Sequence, residues 1–172
     1  DFDDDGRGKV LRWVMDKNGV ENCAHIITYG TMATKNSLKD VARVERVPLD
    51  QVNYLCKSIP DKLPNDLKMN LTNAVASIPE LKQAEESPDE KVRNTIKYAK
   101  KLEGTVRGTG VHACGFIICR DPISDWVPIS VAEDKTDPGH KLRCTQYDGH
   151  VIEDTGLIKM DFLGLKTLSI LK

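Results

Sequence analysis

Nowhere in these 172 residues does an apolar run approach the ~20 residues that a membrane-spanning helix needs. The opening residues show no basic, apolar stretch of the signal-peptide kind. These two absences set the expectation of a cytoplasmic protein that works without a membrane. The five cysteines (Cys23, Cys56, Cys114, Cys119, Cys144) form no Cys-x-x-Cys pair. Structural zinc usually needs such paired spacing, and a disulfide framework needs an even, dense set. Reduced thiols, mostly packed in the core, are expected instead. Internal repeats and low-complexity tracts are missing as well.

What is present suits one ordinary domain, or a domain with a sizeable insertion: 40% hydrophobic residues for a core and 30% charged residues for a wet surface. The chain starts on Asp1 rather than Met, which sets the expectation of an excised piece of something longer. The net charge of −1 hides an uneven distribution. Residues 1–30 carry four Lys/Arg against six Asp/Glu, residues 31–111 fourteen against eleven, and residues 112–172 seven against nine. A basic centre between acidic flanks is a weak pointer to a polyanionic partner.

Along the chain, Val10, Leu11 and Val14 fall at helical spacing, and Gly19 is placed to end that helix. AHIITYG reads as a buried strand. From Thr31 to about Val111 the pattern reads as helical. One helix covers roughly 33–46, and Pro48 opens another with Val52, Leu55, Cys56 and Ile59 on one face. SPDE reads as a capping box, with Ser87 as the cap and Glu90 reaching back. Glycine-rich RGTGVHACG follows, then the strand-like FIIC. A loop punctuated by Pro122, Pro128 and Pro138 leads to two further candidate strands, CTQYD and GLIKMDF. The order predicts an α+β fold with a helical insertion.

Several residues could carry chemistry. In a strand GLIKMDF, Leu157, Lys159 and Asp161 share one face and Ile158, Met160 and Phe162 the other. Asp161 could then hold a divalent metal and Lys159 could meet phosphate; a solvent-facing salt bridge explains the pair equally simply. Asp3, Asp4 and Asp5 precede a helix and read as capping groups, whereas Asp1 stands apart from them. Lys35, Lys39, Arg43 and Arg46 fall within roughly 80° on a helical wheel, opposite Leu38, Val41 and Val44. Such a row can follow a phosphate backbone, although many basic faces are merely solvated. Arg107, Thr109 and His112 lie in the glycine-rich stretch, which reads either as a phosphate cradle or as a tight connection. His25, on an apolar strand, reads as a core histidine.

Taken together, the opening DF, IITYGTMATK, RGTGVHACGFII, TQYD and GLIKMDFLGLKTL resemble the C family of replicative polymerases, the catalytic alpha subunits of bacterial DNA polymerase III. The resemblance runs from end to end. It implies a palm similar to the nucleotidyltransferase fold of DNA polymerase beta, interrupted by an all-helical thumb. The implied parts are palm at 1–30 and 112–165, thumb at 31–111, and the start of the fingers at 166–172. In that family, a Pro-Asp-x-Asp-x-Asp-Phe motif and a later Lys-x-Asp-Phe segment supply the metal-binding aspartates.

Carried over by position, Asp1 and Asp161 are metal ligands for two Mg2+ ions, and Lys159 offsets charge beside them. A further carboxylate would lie two residues upstream of Asp1, so this piece alone is expected to be inactive. Lys35, Lys39, Arg43, Arg46, Arg107, Thr109 and His112 would touch DNA or nucleotide. Implied partners are primer–template DNA and dNTPs, with a sliding clamp and a proofreading exonuclease meeting mainly other regions. The alternatives are a non-catalytic duplex-DNA-binding module and a metal-dependent phosphohydrolase. The dense His/Asp set of many metal hydrolases is absent.

Overall fold

The computed structural model describes residues 1–134, 137 and 139–172; Pro138 of the predicted loop lies outside them. The chain divides into two compact units, residues 1–30 with 108–172 and residues 31–107.

The first unit is a mixed α+β structure. Its elements are β1 (Phe2–Asp3), α1 (Asp4–Asn18), β2 (Cys23–Thr31), β3 (Val106–Ile118), β4 (Ile129–Glu133), β5 (Lys141–Asp148), β6 (Lys159–Asp161), β7 (Gly164–Leu165) and α7 (Lys166–Leu171), with β2 and β3 continuing by a residue or two into the second unit. Helix α1 starts where it does because Asp3 stays extended and its carboxylate accepts the Gly6 amide at 2.6 Å. Asp4 and Asp5 then occupy the first turn, where the helix dipole favours negative charge. Gly19, at φ 94°, ends the helix as expected.

Five strands run in the order β4-β5-β2-β3-β6. β2 is parallel to β5, whereas β4–β5 and β3–β6 are antiparallel, so the sheet is mixed. Both faces of its centre are covered. Cys23 and Phe116 pack with Leu11, Val14 and Phe162 beneath α1. Their sequence neighbours Ala24 and Ile117 point the other way, onto Ile123, Val127, Ile152 and Leu157. Period-2 alternation therefore feeds two cores from one pair of strands.

Two readings change here. The glycine-rich stretch is not a loop: residues 106–111 already belong to β3, so the helical pattern stops short of 111. None of Gly108, Gly110 and Gly115 has a positive φ. A Cβ on Gly110 would meet the Thr28 hydroxyl at 2.9 Å, and one on Gly115 would meet Ile26 at 2.9 Å. These two glycines let strands and side chains approach closely. GLIKMDF, in turn, is a strand only over its last part. Of the predicted apolar face, Phe162 is buried in the core beneath α1, whereas Ile158 is 70% and Met160 46% exposed. β6 is an edge strand of three residues, and nothing among the described residues covers that side of it.

The second unit is helical: α2 (Thr34–Glu45), α3 (Leu49–Ser58), α4 (Leu71–Ser77), α5 (Pro79–Glu85) and α6 (Glu90–Leu102). One core runs through all five, from Leu38 and Val41 through Val52, Leu71 and Leu81 to Ile96. Val44, expected on the apolar side of α2, is instead 77% exposed. It lies in the last turn, just before Arg46 turns left-handed at φ 59° and ends the helix. The cap of α6 is Asp89, whose carboxylate accepts the Lys91 amide at 2.9 Å, rather than Ser87. The Ser87 hydroxyl accepts from the Asp89 amide and so shapes the approach to the helix. Glu103, just past α6, ties three helices together. One carboxylate oxygen takes the Leu71 amide at 2.7 Å, at the start of α4, and the other takes the Thr34 hydroxyl, at the start of α2.

Candidate active site

The site is built on the β3–β6 edge. The antiparallel register sets Gly115 opposite Asp161 and Ile117 opposite Lys159. Lys159 and Asp161 lie on one face, as the alternation requires, with Nζ and Oδ1 3.6 Å apart. The Asp161 side chain is half exposed. From the neighbouring strand the Cys114 thiol donates to Asp161 Oδ1 at 3.5 Å, and its Sγ lies 3.7 Å from His112 Nδ1. His112, Cys114 and Asp161 thus bring three donor atoms within 4.8 Å of one another; Asp1 is not in that group. The thiol's pKa is raised, first by partial burial and then by the Asp161 carboxylate.

Asp1 is exposed and comes to the neighbourhood through the backbone. β1 pairs in parallel with β7, Phe2 opposite Gly164, and the Phe2 amide donates to Leu163 O at 2.8 Å. The Phe2 ring stacks on Phe162 at 5.5 Å. Asp1 therefore adjoins the strand paired with β7, which begins three residues after Asp161, although the two aspartates are separated by nearly the whole chain. Arg7 braces this junction. Its Nε donates to Phe162 O at 2.5 Å and its NH2 group to Ala113 O at 2.6 Å. Phe162 N in turn donates to Cys114 O at 2.8 Å. One guanidinium on α1 thus holds the residue after Asp161 and the residue before Cys114.

An open groove of about 980 Å³ lies within the same unit, lined among others by Arg7, Arg12, His25, Thr109 and His112. His25 packs edge-on to Phe116 at 4.9 Å but is half-buried at the groove rather than enclosed in the core. Its pKa is pushed down to about 4 by burial first and by Arg7 second, against the opposing pull of Asp134. His112 lines this groove, but its Nδ1 is turned towards the backbone of its own strand. Its Nδ1 accepts the Gly115 amide at 2.8 Å, folding the ring back onto β3.

The remaining predicted contacts belong to the helical unit. Arg43 and Arg107 both pair with Asp40, at 3.2 and 3.1 Å, and Lys35 lies 3.9 Å from Asp61. Lys39 and Arg46 are exposed and have no ion-pair partner among the described residues. The basic row is therefore partly neutralised from within, by an aspartate on the same helix.

Sequence reasoning passed over Cys114 and Arg7. Cys114 becomes relevant only once the antiparallel register puts Gly115 beside Asp161, and no local spacing announces that. Arg7 stands one turn into a helix, where a basic residue ordinarily means solvent.

A family model described as "Bacterial DNA polymerase III alpha NTPase domain" matches residues 1–164. The chain belongs to the bacterial DNA polymerase III alpha family. It is 43% identical over 164 residues to the DNA polymerase III subunit alpha of Chlamydia trachomatis, covering 95% of this chain and 12% of the relative. Against the DNA polymerase III subunit alpha of Thermus aquaticus it is 40% identical over 171 residues, covering 99% of this chain and 13% of the relative. The same-named protein of Neisseria meningitidis is 37% identical over 172 residues, all of this chain and 14% of its own length. The chain thus spans about an eighth of the length of the DNA polymerase III alpha relatives it matches. No helix among the described residues is long and apolar enough to cross a membrane.

Proposed function

We propose that this chain is the palm, with an inserted helical thumb, of a replicative DNA polymerase, and that Asp161 serves template-directed addition of dNTPs to a primer 3′-hydroxyl. The observation that carries this reading is the junction of the two segments that hold Asp1 and Asp161. β1 and β7 pair, Phe2 and Phe162 stack, and Arg7 fastens the strand ends beside them. A carboxylate at the start of the chain and one near its end are thereby held on adjoining segments, as a two-metal phosphoryl-transfer site requires.

The donor chemistry fits magnesium at Asp161 and Asp1, which offer hard oxygens at exposed positions, while the thiol and imidazole nearby do not suit it. Bound magnesium would supply charge neutralisation at the transferring phosphate. This chain's own residues hold and orient: Asp161 and Asp1 as ligands, Lys159 as a cation beside the carboxylate, and Arg7 as the brace. Thr109 and His112 line the groove of the same unit, where nucleotide would be met. In the thumb, Lys35, Lys39, Arg43, Arg46 and Arg107 follow the duplex backbone, with Lys39 and Arg46 the most available of them. The sliding clamp and the proofreading exonuclease would meet other regions of the longer protein.

The test is primer extension by the longer polymerase carrying this sequence. Asp161→Asn should abolish extension while leaving affinity for primed duplex within about twofold, since the carboxylate positions metal and not DNA. Extension at a near-wild-type rate would sink the reading.

A further inference from the structure

Cys114 has no part in the function proposed above, yet its thiol sits 3.5 Å from Asp161 Oδ1. We propose that His112, Cys114 and Asp161 form a site for a soft divalent cation of the zinc class. A tetrahedral zinc ion with Zn–S of about 2.3 Å and Zn–N or Zn–O of about 2.1 Å sets sulfur and its neighbouring donor about 3.6 Å apart. The two edges that involve Cys114 Sγ measure 3.5 Å to Asp161 Oδ1 and 3.7 Å to His112 Nδ1. All three donor atoms fall within 4.8 Å of one another. The scaffold is fixed as well: His112 and Cys114 are alternate residues of one strand, and the β3–β6 register delivers Asp161 opposite Gly115.

The mixed donor set selects the metal. Thiolate and imidazole favour zinc over magnesium, which takes oxygen donors in a near-octahedral shell. Three protein donors leave the fourth position to water, the open pattern of a zinc site that is not purely structural. On binding, the Cys114 thiol gives its proton to solvent as the sulfur–metal bond forms. His112 Nδ1 accepts the Gly115 amide at 2.8 Å and the Cys114 amide at 3.3 Å, and both hydrogen bonds are exchanged for the metal bond, which makes His112 the weakest of the three donors. Lys159 shares Asp161 Oδ1, at 3.6 Å, and lowers the site's pull on a cation. The site stands on this geometry alone. Where Asp161 also serves nucleotidyl transfer, one carboxylate would be claimed by two unlike ions.

The experiment is a titration of the reduced, metal-free chain with Co2+, read by absorption. A thiolate-to-cobalt charge-transfer band should rise and saturate at one equivalent, and Zn2+ should bleach it. An equal concentration of Mg2+ should leave it in place. Cys114→Ser should remove the band, Asp161→Asn should weaken binding about tenfold or more, and His112→Gln should weaken it less. Cys119→Ser, at the other half-exposed cysteine, should change nothing. Absence of the band in the wild-type chain would overturn the site, as would a band that survives Cys114→Ser or disappears with Cys119→Ser. Should Cys114→Ser fail to fold, unchanged binding in Asp161→Asn would count against the site just as directly. Either failure leaves the polymerase reading standing, because that reading is tested by extension and not by cobalt.

Discussion

The two units hold together by different means, and the difference decides what kind of site each can build. The helical unit is local. Its five helices follow one another in sequence, two of them capped by Asn70 and Asp89, and pack on one core whose members follow helical spacing. The sheet unit is non-local. β1 pairs with β7 across nearly the whole chain, β3 with β6 across more than forty residues, and two small cores share one pair of strands. A site that needs carboxylates from both ends of a sequence can be assembled only in a unit of the second kind. The helical unit can offer a surface of cations, which one helix face provides.

The sharpest way to break this comparison is to damage one core and watch the other. Phe116 is buried between the rings of His25 and Phe162, at 4.9 and 5.8 Å. Phe116→Ala should cost about 3–5 kcal/mol. Hydrogen exchange should show that loss in α1, β2 and β3 and leave the protection of α2–α6 unchanged, since the two units share no residue of their cores. Equal loss in both units would refute their independence.

That contrast between local and non-local packing also explains what could be read in advance. Helix α3 was legible from Pro48 and the spacing of Val52, Leu55, Cys56 and Ile59, because helical periodicity and caps are local signals. The capping role of Asp3 and the helix stop at Gly19 were legible for the same reason. The α+β class followed from the order of elements, whereas the strand directions that make the sheet mixed are set by long-range pairing. The extent of β3 was not legible, since its glycines read as a loop until Thr28 and Ile26 are seen packed against them. The exposure of Ile158 and Met160 depends on β6 being an edge, a fact of strand order and not of sequence pattern. At the site, the Lys159–Asp161 pair followed from alternation alone. The donor group with His112 and Cys114 did not, because it is made by register.

A second contrast lies in acid sensitivity. His25 is held neutral in the folded sheet unit, its pKa pushed down from 6.5 to about 4, first by burial. The unfolded chain takes up that proton below about pH 6.5, while the folded unit refuses it until about pH 4. Stability is therefore complete above pH 6.5 and falls as pH drops towards 4, by at most about 3 kcal/mol. Urea midpoints at about pH 7.5 and about pH 4.5 should differ by this amount in the sheet unit, and His25→Gln should remove most of the difference. A pH slope unchanged in His25→Gln would assign the sensitivity elsewhere.

The smallest expected effect belongs to the helical unit. Glu103→Ala removes the acceptor shared by the Leu71 amide and the Thr34 hydroxyl and should cost about 2 kcal/mol. Glu103→Gln should recover part of it, because one oxygen can still accept. Denaturation followed in α2–α6 is the measurement, and the sheet unit should not change. A loss that appears mainly in β2 and β3 would contradict the separation of the two units.

The most direct measurement is a double-mutant cycle on the two ends of the chain, made in the longer polymerase and read as single-turnover nucleotide incorporation. If Asp1 and Asp161 act as one metal-holding pair, Asp1→Asn and Asp161→Asn should each cost about as much as the two together. Independent, multiplicative losses, or an Asp1→Asn enzyme that incorporates normally, would contradict the joining of these two segments into one site.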